Sequence, residues 1–123
     1  MKSNAIVMYV DGNFSIVENS SDNNCDIKFL KKYLHIPEDH IESCLYDVTD
    51  RFNDNFFIIR NTSYLGEYKI KNDKVSNIVN KDIYWHCAVM KAVDPNKPFY
   101  DLEFDHMSEE DIAYILNLNN KST

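Results

Sequence analysis

The stretch AIVMYVDGNFSIVEN, Ala5–Asn19, places two runs of β-branched and aromatic residues on either side of Asp11-Gly12-Asn13. Asp, Gly and Asn accept the positive φ angles of tight hairpins, and β-branched side chains suit a pleated surface. The stretch therefore predicts a β-hairpin, and the rest of the chain is read outward from it.

After a polar break at 20–24, CDIKFLKKYLHI repeats Ile27, Phe29, Leu30, Tyr33 and Leu34 at helical spacing, which predicts an amphipathic helix. Pro37, Glu38 and Asp39 suit a new first turn, and Ile41, Cys44 and Leu45 continue it as a second short helix ending near Asp47. From Asn55 onward FFIIRN, YLGEYKIKN and KVSNIV read as antiparallel strands, with Asn72-Asp73 as a tight turn. In DIYWHCAVMKAV, alternation (Ile83, Trp85, Cys87, Val89) and helical spacing (Ile83, Cys87, Met90) both fit, and the β-rich flanks favour a strand. Pro95 and Pro98 enforce a loop, Phe99 to Phe104 reads as a short extended edge, and Ser108-x-x-Asp111 resembles a capping box before a C-terminal helix carrying Ile112, Ile115 and Leu116. The expectation is a single globular α+β domain over 1–123, with a mostly antiparallel sheet of about five strands and two or three packed helices.

Thirteen bases against twenty acids give a net charge of −7, which repels phosphate backbones and anionic membranes. Lys28, Lys31 and Lys32 form one small basic group, while Arg60, Lys69, Lys71, Lys74 and Lys81 are spread along the chain, so direct nucleic-acid binding is not expected. Only two glycines occur, which excludes Gly-rich phosphate loops. Cys25, Cys44 and Cys87 are odd in number and form no C-x-x-C, as for reduced structural thiols. The N-terminal apolar run is broken at Asp11-Gly12, and no run approaches the ~20 residues of a membrane span, so a cytoplasmic location is expected.

The acidic segment FYDLEFDHMSEED, Phe99–Asp111, carries six carboxylates around His106, and no Lys or Arg occurs between Lys97 and Lys121. Asp105, His106, Glu109 and Glu110 are candidate metal ligands, but no second half-site completes a di-metal pattern. A simpler reading has Ser108 capping a helix whose positive end favours Glu109, Glu110 and Asp111. If Phe99–Asp105 is extended, Tyr100, Leu102 and Phe104 face one way and Asp101, Glu103 and Asp105 the other. Asp47, Asp50 and Asp54 suggest a calcium loop, but the required Gly is absent, which leaves a polar loop between helix and strand.

Nucleophilic catalysis has few candidates. His86 and Cys87 point to opposite faces of a strand, His35 and His40 cannot be placed by spacing, and no G-x-S-x-G elbow occurs. The reading is a non-enzymatic binding protein without metal or cofactor. Its expected contact residues are Asp101, Glu103, Asp105, Glu109, Glu110, Asp111 and Tyr100, with Asp47 and Asp50 as a second group.

In its small acidic α+β form, its lack of a catalytic signature and the carboxylate-and-aromatic segment FYDLEFDHMSEED, the chain resembles the immunity proteins of bacterial contact-dependent growth inhibition and related polymorphic toxin systems. The resemblance implies a cytoplasmic protein that binds a protein toxin domain, commonly a basic nuclease, and blocks its active site or a neighbouring surface. It transfers no residues. Three alternatives stand beside it: a phage or mobile-element inhibitor mimicking nucleic acid against a host defence protein, a small metal-dependent hydrolase using Asp105, His106 and Glu109, and a structural subunit.

Overall fold

The computed structural model describes residues 4–18, 46–53, 55–61 and 70–121. The expected hairpin is present: β1 (Asn4–Met8) and β2 (Phe14–Glu18) pair antiparallel from Met8↔Phe14 to Asn4↔Glu18. Its loop needs a glycine, because Gly12 has φ +91° and donates its N–H to the Tyr9 carbonyl at 3.0 Å.

The centre of the sheet is β5 (Cys87–Ala92), whose apolar run CAVMKA is buried except at Lys91. One edge of β5 pairs with β4 (Phe56–Asn61), from Phe56↔Lys91 to Ile59↔Ala88. The other edge is divided. β1 occupies its first half, from Met8↔Cys87 to Ile6↔Val89, and β6 (Phe104–Asp105) its second, with Lys91↔Asp105 and Ala92↔Phe104. With β3 (Tyr46–Asn53) beside β4, the strands run β2-β1-β5-β4-β3, and every pairing is antiparallel. Among the described residues, helices α1 (Asp73–Val79) and α2 (Glu109–Lys121) join this sheet in the expected α+β fold.

Side-chain alternation gives the sheet two apolar faces. Ile6, Met8, Ile58, Cys87 and Val89 pack with Val75 of α1 and with Met107 and Ile115 at α2. Ala5, Val7, Phe57, Ile59, Ala88, Met90 and Phe104 form the opposite core, against which Tyr9, Trp85 and Leu102 pack.

Where the divided edge changes partner, Asn4, 3% exposed, takes the place of a backbone rung. Its Nδ2 donates to the Met107 carbonyl at 3.1 Å, and its Oδ1 accepts from the Met107 N–H at 2.7 Å. A second buried amide, Asn72, holds the hairpin, α1 and the approach to β5 together. Its Nδ2 donates to the carbonyls of Met8 (3.1 Å) and Trp85 (3.2 Å), its own N–H to Ile83 (2.8 Å), and its Oδ1 accepts from the Val75 N–H at 3.5 Å.

Four expectations are corrected. Lys74–Val79, read as a strand, lies in α1: Asn72 is a helix N-cap and not a tight turn, and Asn80 closes the helix at φ 55°. Val75, Ile78 and Val79 reach the core at helical spacing, and that burial overrides β-branched propensity. Tyr46–Asn53, read as a helix end and polar loop, is β3; register shifts between Val48 and Asp50 and between Arg51 and Asn53 hide its alternation. The strand in 82–93 begins only at Cys87, since Trp85 turns left-handed at φ 68°. Phe99–Asp101 is a 3-10 turn, and only Phe104–Asp105 pairs as strand. The helices expected over 25–36 and 37–45 lie outside the described residues, as does the strand expected over 64–72 up to residue 69; of its end, Lys71 makes an isolated antiparallel bridge to Tyr84 and Asn72 caps α1.

Candidate partner-binding surface

The acidic segment begins in the connection from β5 to β6, which is pinned from beneath. Arg51 donates to the Pro95 carbonyl at 2.9 Å and sets its guanidinium 4.8 Å over the Phe57 ring. Phe99 meets the same ring edge-on at 5.6 Å. The connection still presents apolar surface, with Val93 58% and Phe99 39% exposed. Asp94 tightens the turn by accepting the Asn96 N–H at 3.0 Å.

The 3-10 turn changes the expected line of carboxylates. Asp101 sits in the turn, exposed, and only Glu103 and Asp105 keep the strand alternation opposite Leu102 and Phe104. The Glu103 carbonyl accepts from Val93 N–H at 2.8 Å, which sets exposed Val93 beside exposed Glu103. Asp105 is half-buried, and its Oδ1 accepts the His106 N–H at 2.8 Å.

At the start of α2 the expected capping box is present in reciprocal form. The Ser108 hydroxyl accepts the Asp111 N–H at 3.1 Å, and Asp111 Oδ2 accepts the Ser108 N–H at 3.0 Å. The same Oδ2 lies 3.0 Å from Lys91 Nζ, so Asp111 fastens α2 to β5. Burial raises the Asp111 pKa, but the Ser108 N–H, the Lys91 ammonium and the Ser108 hydroxyl outweigh it and hold the carboxyl below its ordinary 3.8. Asp111→Ala should cost about 1–2 kcal/mol of stability at neutral pH, from the lost cap and ion pair. A depressed carboxylate stabilises above its unfolded pKa and ceases to do so as pH falls through the folded value. The difference from wild type in urea melts should therefore hold above pH 3.8 and shrink below it.

The structure thus divides the expected contact residues. Asp101, Glu103, Glu109 and Glu110 are exposed and, among the described residues, have no ion pair, while Lys97 is the exposed base of the same connection. Asp111 is committed internally. Tyr100 lies in the 3-10 turn and Asp47 opposite Arg60 in β3, the side chains of both being outside the described residues. Asp50 is also engaged: its Oδ2 is 3.4 Å from Arg60 Nε and its Oδ1 2.7 Å from Lys81 Nζ.

The sequence reading missed Val93 as exposed apolar surface and Lys91 as the partner of Asp111. The Pro95 and Pro98 breaks were the available signal for Val93, whereas Lys91 meets Asp111 only through the β5 register.

Among the described residues, no three His, Cys, Asp or Glu side chains converge as a metal site. Cys87 is buried, and desolvation pushes its thiol up to about 12, against an ordinary 9.0, so its thiolate is suppressed at neutral pH. No helix of the described residues is long and apolar enough to cross a membrane. No protein-family model, curated protein or solved structure matches the chain, so its functional reading rests on the geometry of this surface.

Proposed function

We propose that this chain is an immunity-type inhibitor, which binds a basic protein toxin domain with the connection from β5 to β6 and the first turn of α2. The observation that carries the reading is that Asp101, Glu103, Glu109 and Glu110 are exposed and, among the described residues, without ion pairs, along the run from Val93 to Glu110 that also exposes Val93 and Phe99. Apolar anchors within a charged rim are the usual composition of a specific interface, and a negative field accelerates encounter with a positive partner. The connection is held by Arg51 and Phe57 before any partner arrives, which lowers the ordering cost of binding. Inhibition is stoichiometric: the carboxylates occupy the basic groove in which the toxin holds its phosphate substrate, and Val93 and Phe99 exclude water around them.

The test begins with a pull-down from the source cells and a growth-rescue assay in which each captured toxin is co-expressed with this chain. Reversing Asp101, Glu103 and Glu109 to Lys together should abolish rescue, slow association by about 10- to 100-fold and flatten its salt dependence, while the thermal midpoint falls by only a few degrees, from the Lys placed in the first turn of α2. Failure of the wild-type chain to rescue growth against any captured toxin would sink the reading. Rescue unaffected by the triple reversal would move the interface elsewhere. Capture of a host defence nuclease instead of a toxin would replace immunity with nucleic-acid mimicry.

A further inference from the structure

At the other end of β1 from the acidic surface, the hairpin turn and the residue before β5 bound an open cleft of about 450 Å³, in which Tyr9, Asp11, Asn13, Phe14, Ser15 and His86 form the walls. Its size is within the range of small-ligand sites. Several of its walls are held by the fold. His86, 7% exposed, accepts the Val10 N–H on Nδ1 at 3.0 Å, meets Tyr9 edge-on at 5.0 Å and lies 4.2 Å from the Trp85 ring. Trp85 holds that position at φ 68°, a conformation that costs a bulky residue about 1–3 kcal/mol. Tyr9 and Ser15 share a hydroxyl contact at 3.3 Å.

The chemistry of these walls selects for positive charge. Asp11 is the carboxylate of the cleft, and its orientation is set by Asn13, whose N–H and Nδ2 donate to Oδ1 and Oδ2 at 2.9 and 3.0 Å. Each oxygen keeps a lone pair for a further donor. Tyr9 and the 44% exposed Phe14 add ring surfaces, whose negative faces attract a cation. Lys74 rests against Gly12 but is not a wall of the cleft, and the net charge of −7 favours entry of a cation.

A planar guanidinium satisfies both features better than an ammonium, because it stacks on rings and presents a donor fork to a carboxylate. We propose that this cleft binds a guanidinium group, supplied by a free arginine-like molecule or by an arginine side chain of a protein. The proposal does not depend on the inhibitor reading, since it concerns a different part of the molecule.

The full chain is titrated with N-acetyl-L-arginine amide, with free L-arginine and with N-acetyl-L-citrulline amide, the neutral isostere. Binding is read from the fluorescence of Trp85, the single tryptophan, and from the amide shifts of Val10 and Ser15. Both guanidinium probes should saturate the signal and the citrulline probe should not. Asp11→Asn keeps an acceptor for the Asn13 N–H and should weaken binding at least about 10-fold. Phe14→Ala should weaken it about 2- to 5-fold. Tighter binding of free arginine than of the capped amide assigns a small molecule, and equal or tighter binding of the capped amide assigns a protein side chain. Citrulline binding as well as arginine, an unchanged affinity in Asp11→Asn, or no saturation with either guanidinium probe overturns the proposal.

Discussion

Asn72→Leu is expected to lower the stability of the fold by about 4 kcal/mol, a large part of the ~5–15 kcal/mol that holds a domain of this size together. Asn72 is 1% exposed, and its Nδ2 serves the carbonyls of Met8 and Trp85 while its Oδ1 caps α1. A buried carbonyl that loses its donor costs about 1–3 kcal/mol, and a lost N-cap about 1 kcal/mol. Asn72→Asp separates these contributions, because it retains a cap acceptor but places a carboxylate against the two carbonyls. Urea unfolding should show Asn72→Asp nearly as damaged as Asn72→Leu. If Asn72→Asp were close to wild type, the cap alone would account for the residue, and the link from β1 to the approach of β5 would carry little energy.

Asp50→Ala should cost about 3–5 kcal/mol, although its sequence context suggested a partner-facing acid. The Asp50 and Arg60 side chains are 12% and 5% exposed, and their contact lies close enough to Cys87 for both charges to act on its thiol. Removing the carboxylate takes a charged acceptor from a guanidinium in a setting that water scarcely reaches. Lys81, with 55% of its side chain exposed, adds only a screened contact worth about 1 kcal/mol or less. The double replacement Asp50→Leu with Arg60→Met should regain much of the loss, since an apolar pair of similar volume avoids the desolvation of both charges. Equal destabilisation by the single and double variants in denaturant melts would show that the pair's geometry, and not its charge, holds β3 on β4.

The legibility of the chain followed from whether a local signal and the tertiary partner agreed. The hairpin was readable because Asp11-Gly12-Asn13 and the flanking β-branched runs state the same thing, and the Ser108–Asp111 box because its contacts are three residues apart. KVSNIV misled because its β-branched residues carry strand propensity, while their burial depends on a helix packed on a sheet assembled from distant segments. β3 was hidden by its register shifts, and Asp50 by partners ten and thirty-one residues away. The acidic surface was legible as composition but not as geometry: the 3-10 turn separates Asp101 from Glu103 and Asp105, and Asp111 turns inward to Lys91.

The divided edge of β5 also bears on the order in which the chain folds. β1 and β6 come from distant parts of the sequence, yet both dock on the same side of one strand, and Asn4 joins Met107 across 103 residues. Contacts that close such long loops require the chain to lose much of its freedom before they form, so they slow the search for the native topology. The two hairpins, β1 with β2 and β3 with β4, have only short loops to close and can form early. The clasp between Asn4 and Met107 is then a late contact, whose weight falls on how slowly the native state comes apart.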